Sequence, residues 1–302
     1  MSKNNRIKPL VSFITVNYNG YTDTVELIQS IDRLIHTVPY EIIVVDNASN
    51  NNEGKLLKAN YPFVKVIVSD KNLGFAGGNN LGMKNASGTY LYLINNDTYF
   101  KSDSIPKLIS RLESDKRIAI VCPKIIFADD EETIQFAGYT HLSGITLRNN
   151  LIGFGEKDLG KYDVGGYSPY AHGAAMFLER ETLNTIGYIP ECYFLYYEEL
   201  DWSEIIYKNN RLIYYEPSST IFHKESRSTG RSSKLKIYYL TRNRLIYAMR
   251  NRKGFYKIGS VCYQFLLAFP KAQIKYLIGG RFDLMRASLR GVKDFLYKKE
   301  GV

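Results

Sequence analysis

Short apolar segments, separated by spacers of helix length, dominate the first hundred positions of the chain. Leu10–Val16, Glu41–Val45, Val64–Val68 and Tyr90–Ile94 are rich in β-branched and aromatic residues and are short for helices. Such segments are typical of buried strands, and their alternation with helical spacers predicts β-α-β units around a parallel sheet. We therefore expect an α/β fold.

The first spacer carries helix signals. Leu27, Ile31 and Leu34 recur on one face, as in an amphipathic helix. Asp23, followed by Glu26 three residues later, has the spacing of a capping box. We expect this helix to begin near Asp23.

Polar residues follow the predicted strands. Right-handed crossovers place the carboxyl ends of parallel strands at one edge of the sheet, so Asp46, Asp70 and Asp97 should lie together there. This edge is where open α/β sheets bind their ligands. For Asp97, both a metal-binding role and a turn-capping role fit the pattern.

A glycine-rich segment precedes Tyr90–Ile94. Lys71–Asn80 holds three glycines in five positions, which predicts a loop that approaches a ligand closely, or a structural turn. We expect the following helix to run through Leu81 and Met83 and to turn its first amides toward an anion or sugar hydroxyls. The first strand-helix turn holds only Gly20, which argues against a dinucleotide dehydrogenase, and no P-loop segment is present.

Three acidic residues form the most informative local cluster. Glu198, Glu199 and Asp201 lie within four positions, beside aromatic residues. Carboxylates held this close are costly unless something uses or neutralises them, which indicates a functional site. A solvated acidic start of a helix is the alternative interpretation.

Net charge matters here through its distribution. The chain carries +10 overall, but Lys224–Val302 holds 19 basic and 4 acidic residues, so the rest is mildly acidic. Such a tail predicts an anionic partner, either nucleic acid or a membrane surface. Near the end of the chain, apolar residues align opposite cations, which fits an interfacial helix or a helical cap on the domain or on a second subunit. These apolar residues are Met285, Leu289, Val292 and Leu296.

Cysteine content and the start of the chain indicate a compartment. Cys122, Cys192 and Cys262 are widely spaced, without a pairing or zinc-binding pattern, which suits a reducing environment. Met1–Lys8 is polar and shows no secretory signal. The expected location is the cytoplasm.

Four segments, in order, resemble the motifs of family 2 glycosyltransferases of the GT-A fold, and within them the rhamnosyltransferase-like branch of bacterial polysaccharide synthesis. They are Val16–Gly20, Val44–Ser49, Asn72–Asn80 and Asn95–Asp97. The resemblance implies a mostly parallel central sheet flanked by helices. It also implies a catalytic domain over 1–230, with a nucleotide-sugar half at about 1–100 and an acceptor half at about 101–230, followed by a basic amphipathic helical region at 231–302.

The resemblance gives Asp46 a role in binding the nucleotide base and gives Asp97 the last position of a metal-binding Asp-x-Asp, in which Asn95 replaces the first acid. His223 matches a histidine that completes the metal shell in some relatives, although a structural histidine is the alternative. The expected ion is Mn²⁺ or Mg²⁺, because diphosphate and water can supply the remaining ligands.

The resemblance also assigns the catalytic base. Glu199 stands at the base position of Glu-Asp-x-Asp, one methylene longer than an aspartate, with Asp201 in reserve. An Arg-Asn stretch near the diphosphate in relatives is matched at Arg242 or Arg244. The other predicted donor-binding residues are Asn17, Asn19, Asn72, Gly77, Asn79 and Asn96.

The implied reaction is inverting, metal-dependent transfer of a sugar, such as rhamnose from dTDP-rhamnose, to a hydroxyl of a lipid-linked or glycan acceptor in a cell-surface polysaccharide. It implies a cytoplasmic enzyme at the inner face of the cell membrane, without a nucleic-acid partner and with room for a homo-oligomer. Two other functions are considered. A nucleotidyltransferase would require a triphosphate-binding loop near the first strand. A nucleic-acid-binding protein would leave the acidic cluster unexplained.

Overall fold

The structure is a computed structural model that describes residues 9–224 and 233–297. The polar start Met1–Lys8 and the predicted domain boundary between residues 230 and 231 lie outside this range. Within it, ten strands form one sheet. They are β1 Val11–Asn17, β2 Tyr40–Asp46, β3 Lys65–Val68, β4 Tyr90–Ile94, β5 Thr98–Tyr99, β6 Ile118–Phe127, β7 Ile134–Phe136, β8 Gly166–Tyr167, β9 Ala175–Glu179 and β10 Leu212–His223.

The strand order is β3-β2-β1-β4-β9-β6-β10-β5, with β7 beside β6 and β8 beside β10. The four predicted strands are present as β1 to β4, and they pair in parallel. β9 is antiparallel to both β4 and β6, so the second half of the sheet is mixed. The predicted α/β class is confirmed, and the carboxyl ends of β1, β2 and β4 share one edge.

Ten helices are assigned in the described residues and flank this sheet or extend from it. They are α1 Tyr21–Leu34, α2 Glu53–Asn60, α3 Gly74–Lys84, α4 Ile105–Ser114, α5 Leu183–Ile186, α6 Glu198–Lys208, α7 Lys234–Asn251, α8 Gly254–Tyr263, α9 Phe269–Ile278 and α10 Phe282–Leu296. A π-helical segment, Gln264–Ala268, joins α8 to α9. No described helix is both long enough and apolar enough to span a membrane.

The start of α1 differs from the prediction. The helix begins at Tyr21 behind Gly20, and no side chain caps it, so the predicted capping box is wrong. Asp23 and Glu26 instead accept hydrogen bonds from Nζ of Lys224 at 2.6 and 2.5 Å. Asp23 and Glu26 therefore connect α1 to the end of β10 through Lys224, and they do not cap the helix.

The glycine-rich segment is also different from the prediction. It is not a loop, because α3 begins at Gly74 and the later glycines lie inside the helix. A Cβ atom on Gly78 would come within 2.9 Å of the Val16 side chain, and one on Gly82 would overlap Ile14. Close packing of α3 on β1 therefore explains these glycines, despite their low helix propensity.

The C-terminal helices are present as predicted, and α10 packs along α7. A Cβ atom on Gly291 would lie 2.7 Å from the carbonyl oxygen of Tyr238, and the Tyr238 hydroxyl donates to Asp294 at 2.9 Å. Of the predicted apolar face, Met285 and Val292 are half-buried, whereas Leu289 and Leu296 remain exposed. One face of α10 is thus a helical cap, and α7 belongs structurally to the main body.

Candidate functional site

Asn17 and Asp46 are paired at the carboxyl ends of β1 and β2. They are opposite each other in the parallel register, and both are buried. Nδ2 of Asn17 lies 3.0 Å from Asp46 Oδ1 and 2.9 Å from Glu53 Oε2. Asn17 Oδ1 accepts from the Thr24 hydroxyl at 2.8 Å. These contacts hold the predicted base-binding carboxylate in one orientation before any ligand arrives.

Asn19 lies beside this network in the turn after β1. It has a left-handed backbone conformation, with φ of 54°, which asparagine tolerates better than most residues. Its amide donates to Ser49 Oγ at 2.9 Å, and its Oδ1 accepts from the Asn50 amide at 2.8 Å. The turns after β1 and β2 therefore form one surface.

Asn47 connects these turns to the start of α3, a role that the sequence reasoning missed. Its Nδ2 donates to Asn72 Oδ1 at 3.0 Å and to the Gly74 carbonyl at 3.1 Å, while its Oδ1 accepts from the Leu73 amide at 2.8 Å. The signal was available, since Asn47 directly follows Asp46 in a recognised motif. Asn72 is thereby placed near Asp46.

Gly77 and Asn79 lie within α3 and face protein. A Cβ on Gly77 would lie 2.8 Å from Leu73, and Nδ2 of the buried Asn79 donates to the Phe75 carbonyl at 2.9 Å. Gly77 was predicted in a loop and Asn79 at the start of a helix, but both lie inside α3. Their nearest contacts are with Leu73 and Phe75, at the start of the same helix.

Asp97 and His223 meet at the ends of β4 and β10. His223 Nε2 lies 3.1 Å from Asp97 Oδ1, and the side chains are 7% and 14% exposed. Burial would raise the pKa of Asp97, but the hydrogen bond and charge of His223 outweigh burial and hold that pKa below its usual value. Asn96, next to this pair, donates to the Thr24 hydroxyl at 3.0 Å and connects it to the Asn17 network.

The Asp97–His223 pair suits a divalent cation. His223 Nδ1 lies 2.7 Å from the acceptor Oε1 of Gln135, so Nδ1 carries a proton and Nε2 is turned toward Asp97. A cation bound between Asp97 Oδ1 and His223 Nε2 would take the place of the direct contact between these two atoms. The described residues contain no group of three or more metal-binding side chains, so a bound ion would take its other ligands from diphosphate and water.

The acidic cluster lies at the N-terminus of α6. Burial raises the pKa of Glu199 to about 7. Burial, together with the charge of Glu199, raises the pKa of Glu198 well above its usual value. Because Glu198 binds a proton more tightly, Glu199 is the member of the pair that loses its proton first as the pH rises.

Asp201 is buried and already has three donors. The Tyr193 hydroxyl donates at 2.8 Å, Arg250 Nε at 2.6 Å and Asn251 Nδ2 at 2.7 Å. These contacts link α6 to the end of α7. A carboxylate engaged in this way is poorly placed to accept a proton from a substrate, so the geometry favours Glu199 over Asp201.

The loop before α6 has an unusual backbone. Phe194, Tyr196 and Tyr197 adopt φ values of 69°, 68° and 79°, which cost non-glycine residues energy. The carbonyl of Phe194 accepts from the Phe75 amide at 2.8 Å, and a Cβ atom on Gly74 would overlap it. The predicted donor helix α3 and the loop leading to Glu199 are therefore in direct contact.

Arg242 and Asn243, which we call the loop clamp, hold this loop from α7. Asn243 Nδ2 contacts the carbonyls of Tyr193, Leu195 and Tyr196 at 3.1, 2.7 and 2.8 Å. Arg242 Nη2 donates to the Tyr193 carbonyl at 2.7 Å. Both clamp residues are 0% exposed, so as placed Arg242 supports the loop and does not face a diphosphate.

Arg244 directly follows Asn243 on α7 and is half-buried. Its Nε donates to the Tyr197 hydroxyl at 2.8 Å, and its guanidinium lies over the Tyr197 ring, 5.9 Å from the centroid. Arg244 thus also contacts the segment that precedes Glu198.

Aromatic rings connect the acidic cluster to the Asp97–His223 pair. Tyr139 packs against an apolar cluster that includes Tyr197 and Leu200, the residues on either side of Glu198 and Glu199. Burial and the charge of Glu199 raise the pKa of Tyr139. The Tyr139 and His172 rings stack with centroids 6.0 Å apart, and His172 is 6.5 Å from His223. Burial lowers the pKa of His172 to about 3, so this ring is neutral. We call the Tyr139 and His172 rings the aromatic wall. The Asp97–His223 pair lies at its His172 end, and the start of α6, which carries Glu199, lies toward its Tyr139 end.

Comparisons with known proteins identify the family of the chain. Residues 12–184, more than half of the 302-residue chain, match the family described as glycosyl transferase family 2. The chain is similar to the low-salt glycan biosynthesis hexosyltransferase Agl10 of Haloferax volcanii, with 26% identity over 196 residues, covering 64% of this chain and 60% of that protein. The match therefore spans less than two thirds of that relative.

Two solved structures share the fold. GalNAc-T7 with UDP, GalNAc and Mn²⁺ has a TM-score of 0.59 at 16% identity, covering 82% of this chain and 51% of that chain. The mannosyltransferase PcManGT from Pyrobaculum calidifontis, with GDP-Man and Mn²⁺, has a TM-score of 0.57 at 14% identity, covering 98% and 89%. At such low identity these likenesses concern the fold alone. Because more than half of this chain matches the family, the chain belongs to glycosyl transferase family 2.

Proposed function

We propose that the chain transfers a sugar from a nucleoside diphosphate to a hydroxyl of a glycan acceptor, with a divalent metal ion and with inversion at the anomeric carbon. The observation that carries this proposal is that one aromatic wall runs from the Asp97–His223 pair to Tyr139, which packs against the cluster containing Tyr197 and Leu200 on either side of Glu199. The solved neighbours with UDP or GDP-Man and Mn²⁺ support the choice of donor and metal.

The nucleotide would bind at the ends of β1 and β2. Asp46 is fixed by Asn17, and the turn of Asn19 lies next to both, so hydrogen-bonding groups are already oriented there. Preorganised polar groups spend little free energy on ordering when a ligand binds. Asn72, held by Asn47, would extend this surface toward the sugar.

Asp97 and His223 would hold the ion. Asp97 is ionised at neutral pH because its pKa is lowered, and Gln135 fixes the tautomer and orientation of His223. When bound, Mn²⁺ or Mg²⁺ would stabilise the negative charge on the departing diphosphate. No further acid is required at this end of the site if diphosphate oxygens complete the shell.

Glu199 would act as the base. With its pKa raised to about 7, a substantial fraction of Glu199 is ionised at neutral pH and still has the basicity to take a proton from the acceptor hydroxyl. The acceptor oxygen then forms its bond to the anomeric carbon as the bond to the diphosphate breaks. A single displacement of this kind inverts the anomeric configuration.

The specific donor is tested by a thermal-shift screen of UDP, GDP, CDP and dTDP, each with and without Mn²⁺. We propose a dTDP-sugar such as dTDP-rhamnose, so dTDP should raise the melting temperature most, and Mn²⁺ should increase the shift. A larger shift with another diphosphate would reject the rhamnose donor only. No shift with any diphosphate would reject the proposed function itself.

A lipid-linked acceptor and peripheral membrane contact complete the proposal. α8, α9 and the π-helical segment between them expose large apolar residues, among them Phe255 (74%), Leu266 (71%) and Ile278 (82%). Residues 254–278 also contain three lysines and no acid. An apolar surface accompanied by cations suits an anionic leaflet, as the basic tail predicted, although the surface is on α8 and α9 more than on α10.

Vesicle sedimentation tests this contact. Vesicles containing phosphatidylglycerol should bind the chain, and phosphatidylcholine vesicles should bind it weakly. Leu266→Glu with Ile278→Glu should abolish binding, whereas Leu159→Glu, at a position 87% exposed elsewhere on the chain, should leave it intact. Equal binding by all variants would reject this contact surface.

A further inference from the structure

A cavity of about 390 Å³ lies behind the acidic cluster and takes no part in the donor site. It is bounded by the segment after β7, by α6 and by the junction of α7 and α8. Its walls and floor include Leu142, Tyr170, Glu204, Tyr207, Arg252 and Tyr256. A space of this size holds a small polar molecule or about one or two sugar rings.

The floor of the cavity is polar and close to neutral. Glu204 accepts hydrogen bonds from the Tyr247 hydroxyl, from Arg252 Nη1 at 3.1 Å and from the Tyr170 hydroxyl at 3.4 Å. Because the Glu204 carboxylate and the Arg252 guanidinium neutralise each other, the floor offers no net attraction to a phosphate. A neutral ligand with several hydroxyl groups fits this charge pattern better.

Arg252 keeps one unused donor. Its side chain is 13% exposed, and its Nε is buried without a hydrogen-bond partner among the described residues. A buried donor without a partner is costly, and a shift of the Arg252 side chain that brings Nε to an oxygen of a bound ligand would remove that cost.

The walls are aromatic and apolar. The hydroxyl of Tyr207 is turned away to donate to the Ser168 carbonyl, and that of Tyr170 is turned to Glu204, which leaves their rings to form the walls. Tyr256, which is 56% exposed, closes another side. A sugar ring has an apolar C–H face and a rim of hydroxyls, and both match aromatic walls above a polar floor.

The cavity is joined to the catalytic end of the site. The Tyr170 ring packs edge-on against Tyr139, 6.3 Å between centroids, and Tyr170 shares an apolar cluster with Tyr197 and Leu200, the residues that flank Glu198 and Glu199. Glu204 follows Glu199 by five residues on α6, a rise of about 7.5 Å and a rotation of about 140° around the helix axis. A glycan whose reacting hydroxyl lies at Glu199 would therefore pass partly around the start of α6 to reach the cavity.

We propose that this cavity binds a neutral sugar residue of the acceptor, next to the residue that carries the attacking hydroxyl. The proposal rests on the function proposed above and identifies where the acceptor's second or third sugar is held. It makes the enzyme selective for the length of its acceptor, since a monosaccharide would reach Glu199 but not the cavity.

The test uses the full chain on a printed array of bacterial oligosaccharides of one to four sugars. Wild type should bind neutral glycans of two or more sugars. Tyr256→Ala should weaken that binding about tenfold, and Tyr256→Phe, which keeps the ring, should restore it. Phe255→Ala is the matched control, because Phe255 is the neighbouring exposed aromatic on α8 and does not line the cavity.

Three results would overturn the proposal: binding of anionic glycans only, equal binding by wild type and Tyr256→Ala, or no glycan bound by wild type. The thermal shift with nucleoside diphosphates is measured on the same preparations. A shift that persists in Tyr256→Ala shows an intact donor site, so failure of the cavity proposal is distinguished from failure of the proposed function.

Discussion

The loop clamp provides the sharpest mutational prediction, through Asn243→Leu. This change keeps approximately the same side-chain size but removes the Nδ2 donor that contacts three loop carbonyls and the Oδ1 that accepts from Arg242 Nε at 2.9 Å. The loop carries the backbone into Glu198 and Glu199. We therefore expect the substitution to displace the base while leaving the ends of β1 and β2 unchanged.

Magnitudes support this expectation. A buried carbonyl left without a donor costs about 1–3 kcal/mol, and the two hydrogens of Nδ2 satisfy about two of the carbonyls, so the loss is roughly 2–6 kcal/mol. Three left-handed residues, Phe194, Tyr196 and Tyr197, each store about 1–2 kcal/mol. The hydrogen bonds that are lost are thus comparable to the strain that they offset, and the loop should relax to another conformation.

Steady-state kinetics and thermal unfolding measure the result. We expect kcat to fall roughly ten- to a hundredfold, as for small displacements of a catalytic group, with the donor KM nearly unchanged. The melting temperature should fall by about 3–10 °C. Asn209→Leu is the control, since Asn209 is exposed directly after α6 and its side chain donates to the nearby Ile205 carbonyl. A normal kcat in a destabilised Asn243→Leu would refute the positioning role.

Three further outcomes follow from the same geometry. Activity should rise with pH through about 7 as Glu199 loses its proton, and Glu199→Gln should remove both the activity and its pH dependence, as read from initial rates. Glu198 binds its proton more tightly in the folded than in the unfolded chain, so stability falls as the pH rises above the pKa of Glu198 in the unfolded chain. Glu198→Gln should therefore raise the melting temperature at pH 8 but not at pH 4. An equal effect at both pH values would contradict this reasoning. Gly74→Ala should destabilise more than Gly155→Ala in calorimetry, because both positions have positive φ but only Gly74 would clash with Phe194; equal losses would exclude the clash.

Strands and strand ends were predictable because their signals are local. Short apolar runs rich in β-branched and aromatic residues identify β1 to β4, and polar residues after them mark the functional edge. Register then brings Asn17 opposite Asp46 without further information. The family motifs added the roles, which the structure leaves as predictions.

Side-chain direction was not predictable, because it depends on contacts between distant segments. Arg242 has the charge expected of a diphosphate ligand, yet it is turned inward to the carbonyls of a loop about fifty residues earlier. Gly74 reads as a loop residue by propensity, but the approach of Phe194 to the backbone requires a glycine at the start of a helix. Gln135 and Tyr139 carried no motif at all and are placed by the mixed half of the sheet.

The central claim is that Asp97 and His223 bind a metal ion with the donor while Glu199 acts separately as the base. Calorimetric titration of Mn²⁺ into protein saturated with the diphosphate that stabilises it most tests this directly. Wild type and Glu199→Gln should bind Mn²⁺ equally, and Asp97→Asn should bind about a hundredfold more weakly. Equal Mn²⁺ affinity in wild type and Asp97→Asn would contradict the account.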